Sequence, residues 1–184
     1  MATCGYCGTS LLWDEGGLHD LGKRSLLAEG FTRLWTGATG KLRGRDFVVQ
    51  GRARYDYGQG FWDEWFLEMS DGSEAWLTED NHELALQERI EAQVPSRDEL
   101  ATGKRIDVAG VKYAIRESGT ARCLGIEGRL PKLVLPDEVY EYVDADSLDG
   151  KSVLGIEYDE SPPSVYVGPW IAHDELVLDD EGRT

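Results

Sequence analysis

The chain has 184 residues, of which 41% are hydrophobic and 10% are aromatic, and it carries a net charge of −16. This length and composition suit a globular protein with one good core or two small ones, and not a disordered chain. The charge is uneven, because residues 137–184 hold 14 acidic and two basic side chains. Such a segment repels phosphate backbones and anionic membrane surfaces, which argues against nucleic-acid binding and favours a cationic partner.

The chain also lacks the signals of membrane insertion and secretion. No run of residues approaches the roughly 18 consecutive apolar ones that a membrane-spanning helix needs. The first residues contain neither the basic nor the apolar region of a secretory signal, so we expect a cytoplasmic protein. In that reducing compartment, the three cysteines are expected to be thiols or metal ligands and not disulfides.

Residues 1–37 are interpreted as a Cys-x-x-Cys knuckle and a connector. The leucine spacings after residue 17 are partly helical, but Gly22 and Gly30 interrupt them. The pattern therefore predicts an irregular segment with at most a short helix.

Cys4 and Cys7 have the spacing of one half of a zinc ribbon, in which two thiolates hold a tetrahedral ion. A structural zinc site needs four ligands, and the chain has no second knuckle. The alternatives are a site completed by His19 or by a second chain in a homodimer, no bound metal, or a redox pair. No cofactor other than zinc is indicated.

Residues 38–90 predict a first β unit. Short apolar and aromatic runs alternate with the turn signals Gly58-Gln59-Gly60 and Asp71-Gly72, which is typical of β-hairpins. Residues 91–102 predict a linker whose second half forms one helical turn capped by Ser96.

Residues 103–180 predict a second, acidic β unit that matches the first in three places. Residues 44–49 match 110–115, residues 67–71 match 156–160, and residues 76–86 match 170–178 in their Trp-aliphatic and Glu-Leu pairs. The order predicts duplication of one supersecondary unit, with chance similarity among hairpins as the alternative. We expect a mainly β fold of two related, small barrel-like or sandwich-like units packed together.

Aromatic and acidic side chains are densest between residues 62 and 79. In a strand, alternation places Trp62 and Glu64 on one face and Asp63 and Trp65 on the other. Core packing accounts for large aromatics in small β domains. The alternative is an aromatic floor with carboxylate walls, which holds amines by cation–π and charge attraction. The predicted ligand-binding residues are Trp62, Asp63, Glu64, Trp65, Trp76, Glu79 and Glu127.

These features predict a non-enzymatic binding or scaffold module for a polyamine or a basic protein surface. The alternative is an enzyme that uses clustered carboxylates, with or without a divalent metal. The chain has three scattered histidines and no Gly-x-Ser-x-Gly, phosphate-binding or His-Glu-x-x-His motif. No catalytic residue is therefore predicted. A carboxylate enzyme would require a deep pocket that holds at least two buried acids with raised pKa values.

An ordered set of segments resembles a bacterial family catalogued as domain of unknown function 4178. The segments are Gly51-Arg52-Ala53-Arg54-Tyr55, Trp62-Asp63-Glu64-Trp65, Asp71-Gly72, Trp76-Leu77-Thr78-Glu79, and residues 119–122, 127–131, 156–158, 166–168 and 174–176. The resemblance covers about residues 36–178 and implies no established activity. It implies an N-terminal zinc ribbon of two knuckles, of which only Cys4 and Cys7 are present here. The family's gene neighbours imply an envelope- or polyamine-linked accessory role.

Overall fold

The chain is mainly β, as the sequence predicts. The computed structural model describes residues 1–4, 6–14, 17–24, 27 and 32–179. The strands are β1 (Ala2–Thr3), β2 (Thr9–Asp14), β3 (Gly17–Arg24), β4 (Thr39–Leu42), β5 (Arg45–Asp56), β6 (Phe61–Met69), β7 (Glu74–Asp80), β8 (Glu83–Ile90), β9 (Arg105–Val108), β10 (Val111–Gly128), β11 (Val139–Ser147), β12 (Ser152–Glu157), β13 (Ser164–Ile171) and β14 (Leu176–Leu178). Short 3₁₀ turns lie at Arg97–Glu99 and His173–Glu175, and none of the described helical segments is long and apolar enough to cross a membrane.

The N-terminal segment is a small separate sheet of β1, β2 and β3. The prediction of a short helix after residue 17 is wrong for residues 17–24, which form β3. Gly22 weakens helix formation there, and pairing with β2 satisfies the backbone of β3 instead. The leucine and phenylalanine spacings at 26 and 31 lie outside the described residues. The predicted helical turn after Ser96 is confirmed as the 3₁₀ turn Arg97–Glu99 with Ser96 at its N-cap position, where the Ser96 N–H and hydroxyl donate to Glu99 Oε1 at 3.3 and 2.7 Å.

Eight strands of the large sheet close into a ring. The sheet runs β14-β4-β5-β6-β7-β8-β13-β12-β11-β10-β9, and β5 pairs additionally with β10. The pairings of β5 with β10 and of β8 with β13 join the four strands β5–β8 to the four strands β10–β13. The two predicted β stretches therefore share one antiparallel sheet. The ring leaves β4, β14 and β9 outside as short flanking strands.

The two stretches follow one plan of five successive antiparallel strands. In each, a short strand leads through a left-handed turn, Arg43-Gly44 or Ala109-Gly110, into a long strand. Each long strand then has an irregular register against the following strand, between Val49 and Gly51 in β5 and between Ile115 and Glu117 in β10.

These equivalences agree with only the first of the three sequence matches. Residues 44–49 and 110–115 both enter the long strand of their stretch. Residues 67–71 end the third strand of the first stretch, whereas residues 156–160 end the fourth strand of the second. Residues 83–86 likewise lie in β8, whereas 175–178 reach β14. Duplication of one unit stays a prediction.

The connections after the two long strands differ. Residues 57–60 form a tight turn between β5 and β6, whereas residues 129–138 form a long loop between β10 and β11. Because β5 and β10 are antiparallel, these connections lie at opposite ends of the ring. The long loop is held by Met1, whose backbone exchanges two hydrogen bonds with Leu130 and whose sulfur lies 3.3 Å from the Val134 nitrogen.

The seam between β8 and β13 depends on Gly168. A Cβ at this position would lie 1.7 Å from the carbonyl oxygen of Leu86, a contact that only separation of the strands could relieve. We predict that Gly168→Ala lowers the free energy of unfolding by more than about 2 kcal/mol, measured by urea denaturation. Gly119→Ala is the control, because its Cβ would meet only the Tyr142 side chain at 3.4 Å. Equal stability of the two variants would contradict the prediction.

Candidate functional site

A cavity of about 90 Å³ lies inside the ring, and all eight ring strands contribute to its lining. The interior of an eight-stranded barrel is just wide enough to be filled by side chains or to hold one small ligand. Acidic side chains outnumber basic ones in this lining. The acids are Glu64, Asp80, Glu83, Glu117, Glu141, Asp144, Glu157 and Asp159, and the bases are Arg116 and Lys132.

The middle of the cavity has an aromatic wall centred on Trp62. Its ring stacks on Tyr55 with 5.2 Å between centroids, and it meets Tyr142 and Tyr57 at 5.1 and 5.7 Å. The indole Nε1 donates a hydrogen bond to Glu64 Oε1 at 3.1 Å. The wall therefore combines aromatic rings with a carboxylate, which is the combination that attracts organic cations.

The loop of residues 129–138 closes one end of the cavity with Lys132. The Lys132 ammonium donates to Glu157 Oε2 and lies 3.8 Å from Asp159 Oδ2. It also lies 5.6 and 5.7 Å from the ring centroids of Trp76 and Tyr166. Burial is the largest single effect and would lower the pKa of Lys132, but Glu157, Glu64, Tyr166 and Asp159 together outweigh burial and the pKa is raised. Lys132 is therefore a permanent cation, surrounded by carboxylates and aromatic rings.

Arg116 stands at the opposite end, where Glu83 and Glu117 are exposed to solvent. Its guanidinium lies 3.9 Å from Asp144 and 3.7 Å from Asp146, and 5.3 Å from the ring of Trp170. Both basic residues of the cavity are therefore already paired with carboxylates and stacked on tryptophan. The cavity meets solvent on the Arg116 side.

Between these two ends, Glu64 and Asp144 have raised pKa values. Burial, followed by the charge of Glu157, raises the pKa of Glu64 to about 8. Burial also raises the pKa of Asp144 to about 7, with Arg116 opposing the shift and Glu117 adding to it. A cation that enters beside such a carboxyl group stabilises its charged form, because the opposite charge compensates for the hydration lost on burial.

Asp80 faces the cavity near its open end without a basic partner. Its Oδ1 is buried and accepts no hydrogen bond, and no described basic side chain lies within 4.0 Å of its carboxylate. Burial raises the pKa of Asp80. Nearby Glu117 differs, because it accepts a 2.6 Å hydrogen bond from the Tyr142 hydroxyl. Asp80 is thus a carboxylate whose interactions are incomplete.

Three of the predicted ligand-binding residues share this cavity. Trp62, Glu64 and Trp76 line it, and the predicted alternation along β6 is confirmed, because Asp63 and Trp65 lie on the other face of the sheet. The other four predicted residues, Asp63, Trp65, Glu79 and Glu127, do not line the cavity. Glu79 accepts hydrogen bonds from Trp65 Nε1 at 3.2 Å and from Thr32 at 2.6 Å.

Asp63 belongs to a buried ionic cluster with Arg52 and Arg54. Each guanidinium donates two hydrogen bonds to the Asp63 carboxylate, at 2.8 and 2.9 Å from Arg52 and at 2.8 Å twice from Arg54. All three side chains are at most 5% exposed. Arg52 also lies 3.7 Å from Glu127 and 4.8 Å from the ring of Trp65. Since both oxygens of Asp63 are taken, this residue has a structural role.

Residues 36–173 match the family described as a domain of unknown function, DUF4178. The chain belongs to this family. No curated protein and no solved structure matches the chain. Membership in DUF4178 assigns no activity, so the function has to be argued from the cavity itself.

The Cys-x-x-Cys knuckle lies outside the region matched to DUF4178. The N–H of Gly8 donates to the Cys4 carbonyl at 2.9 Å, which closes the turn between the two cysteines. Cys4 is half-buried and Cys7 is exposed, and neither forms a disulfide in the described part of the chain. In the described part of the chain, no three His, Cys, Asp or Glu side chains are grouped closely enough to hold a metal ion. A zinc site would therefore need ligands beyond these, and zinc stays a prediction.

Sequence reasoning missed several cavity residues for which the signal was present. Asp80 continues the inward alternation that begins at Trp76 and Thr78, and Asp144 continues the one through Tyr140 and Tyr142. Lys132 had no such signal, because it lies in a loop whose path is set by contacts with Met1. In this DUF4178 member, alternation beyond the aromatic residues would have located most of the carboxylates.

Proposed function

We propose that this protein binds a small organic cation with N–H donors inside the ring. One observation carries the proposal: eight carboxyl groups line a cavity with two basic side chains, and both bases are already engaged at its ends. Among the lining carboxyl groups, Glu64 and Asp80 are the two that are not exposed and that lack a cation within 4.0 Å among the described side chains. A bound ammonium or guanidinium group would complete them.

The chemistry around Lys132 illustrates how the cavity holds such a group. Its ammonium has one carboxylate as hydrogen-bond acceptor and two aromatic faces within 5.7 Å. Trp62 and Glu64 offer a similar pairing of an aromatic face with a carboxylate farther along the cavity. A quaternary ammonium would fill the space but could not donate a hydrogen bond to Glu64, so primary amines are the favoured class.

A small molecule is favoured over a basic protein surface because these carboxyl groups are inside the ring. A cavity of about 90 Å³ holds roughly six water-sized molecules at about 15 Å³ each, which is too little for a folded partner. An accessory role linked to polyamines or the envelope, and a location in the bacterial cytoplasm, belong to the same proposal.

Isothermal calorimetry with n-butylammonium tests the proposal. We expect saturable binding at low salt and weaker binding at physiological salt, because charge attraction is screened. n-Butanol is the matched neutral ligand, and it should give no comparable heat, since it fills the same space without a charge. Absence of heat with butylammonium at low salt, or equal binding of the alcohol, would reject cation binding.

The affinity for an ammonium ligand is predicted to rise with pH. The pKa of Glu64 is about 8, so the group is mostly protonated at pH 6 and mostly charged at pH 9. An alkylammonium keeps its charge over this range. Binding at pH 9 should be about 10- to 100-fold tighter than at pH 6. Binding should also release protons, and calorimetry in two buffers of different ionisation enthalpy measures this release. A flat affinity profile without proton release would contradict the role of Glu64.

The second candidate function is a carboxylate enzyme, and the acids of the cavity favour it. Glu64 and Asp144 have pKa values of about 8 and about 7, which suits a general acid and a general base near neutral pH. The discriminating measurement is mass spectrometry of bound amines after prolonged incubation. Recovery of unchanged ligand supports the binding module, whereas a new product that Glu64→Gln abolishes supports the enzyme.

A further inference from the structure

We propose that the ligand is a short diamine, with one ammonium group at Glu64 and the other at Asp80; this inference rests on the proposed function. The two residues project from neighbouring strands toward the same cavity. In the register of β6 and β7, Trp62 faces Asp80 and Glu64 faces Thr78. Glu64 and Asp80 are therefore diagonal neighbours on one face of the strand pair.

Diagonal neighbours of an antiparallel pair lie about 7–8 Å apart. A chain of about three to five carbons with an ammonium group at each end can reach carboxylates on two residues at this separation, because each ammonium can sit beside its own carboxylate and its charged hydrogen bond of about 2.8 Å need not lie along the span. Putrescine, the four-carbon diamine, has this length. A longer polyamine would have to extend past Asp80 into solvent.

The other charged groups of the cavity favour these two positions, because Glu83, Glu117 and Glu141 are exposed and the remaining acids are paired with its bases. At the closed end, Lys132 already occupies Glu157 and Asp159. Near the open end, Arg116 already lies beside Asp144. Among the described residues, the Glu64 carboxylate accepts one hydrogen bond, from the Trp62 N–H, and Asp80 Oδ1 is buried and accepts none.

The ring of Trp62 lies between the two positions. Trp62 is the direct cross-strand partner of Asp80 and is two residues from Glu64 on the same strand. The methylene chain of a diamine bound at both carboxylates would pass over this ring and the packed tyrosines Tyr55 and Tyr57. Apolar contact would then add to the two charged interactions.

Calorimetry at pH 9 with putrescine and n-butylamine tests the inference. The two ligands share a four-carbon chain and differ in the second ammonium group. In the unaltered protein, putrescine should bind at least fivefold tighter than butylamine. Asp80→Asn should lower this ratio below fivefold, because it removes the second carboxylate and leaves the Glu64 position. Glu74→Gln is the control, since Glu74 is on the same strand, is exposed and does not line the cavity.

Each outcome decides a different statement. Butylamine binding with a putrescine preference below fivefold in the unaltered protein overturns the diamine inference and leaves cation binding intact. A preference that persists in Asp80→Asn also overturns it. No binding of either amine rejects the proposed function itself. Butylamine binding by Asp80→Asn shows that this variant is folded, and the ratio in the unaltered protein tests the inference without any substitution.

Discussion

Replacing Asp63 with asparagine is expected to lower the free energy of unfolding by about 3–5 kcal/mol. Asp63 accepts four hydrogen bonds from Arg52 and Arg54, and all three side chains are buried. The amide keeps the shape of the carboxylate but leaves two guanidinium charges without their shared partner in a site that excludes water. For a protein of this size, the melting temperature should fall on the order of 10 °C.

Two further variants separate this effect from a general loss of charge. Asp46→Asn removes an acid that pairs with Lys41 on the surface, and it should leave the melting temperature unchanged because exposed ion pairs contribute little. The triple variant Arg52→Met, Arg54→Met, Asp63→Leu removes the whole cluster and should recover most of the stability that Asp63→Asn loses. If Asp63→Asn melts within 2 °C of the unaltered protein, on the scale of these shifts, the cluster is not a stabilising element.

Glu64→Gln is expected to abolish amine binding and to stabilise the protein at high pH. The glutamine carbonyl can still accept the Trp62 N–H, but it offers no charge to an ammonium group. Removal of one partner of a buried charge pair costs about 2–5 kcal/mol, which corresponds to a loss of binding of at least about 30-fold. Calorimetry with butylamine at pH 9 measures this loss, with Glu74→Gln as the control.

The stabilisation follows from the raised pKa of Glu64. Its pKa rises from an ordinary 4.5 to about 8 in the folded protein, so between these values the folded state holds a proton that the unfolded chain releases. The free energy of unfolding therefore falls as pH rises from about 5 to about 8. Glu64→Gln removes this term, so it should match the unaltered protein at pH 5 and exceed it by about 1–3 kcal/mol at pH 9. Parallel pH profiles from urea denaturation would contradict the assignment.

Local features of this fold could be predicted from the sequence because they depend on neighbouring residues. Asp71-Gly72 marks the turn between β6 and β7, Ser96 begins a 3₁₀ turn, and alternation places Trp62 and Glu64 together. The closure of the ring could not be predicted in this way. It depends on pairing of β5 with β10 and of β8 with β13, strands that are far apart in sequence.

The candidate site was predicted only in part for the same reason. Three members of the 62–79 cluster line the cavity, but Asp63 does not, because alternation turns it to the other face of the sheet. There it meets Arg54, which is directly opposite it on β5, and the diagonal neighbour Arg52. A count of acids gives no information about which carboxylates are neutralised within the protein. That distinction requires the cross-strand partners, and it separates Asp63 from Glu64 although they are adjacent in the chain.

The unequal connections of the two stretches determine how many ligands the protein can hold. The two stretches repeat one plan of strands, and identical connections would give the cavity two equivalent entrances and two equivalent ligand sites. The insertion at 129–138 removes this equivalence, because it carries an ammonium group into one end, whereas residues 57–60 leave the other end free. The expected stoichiometry is therefore one ligand per chain, entering and leaving by a single route.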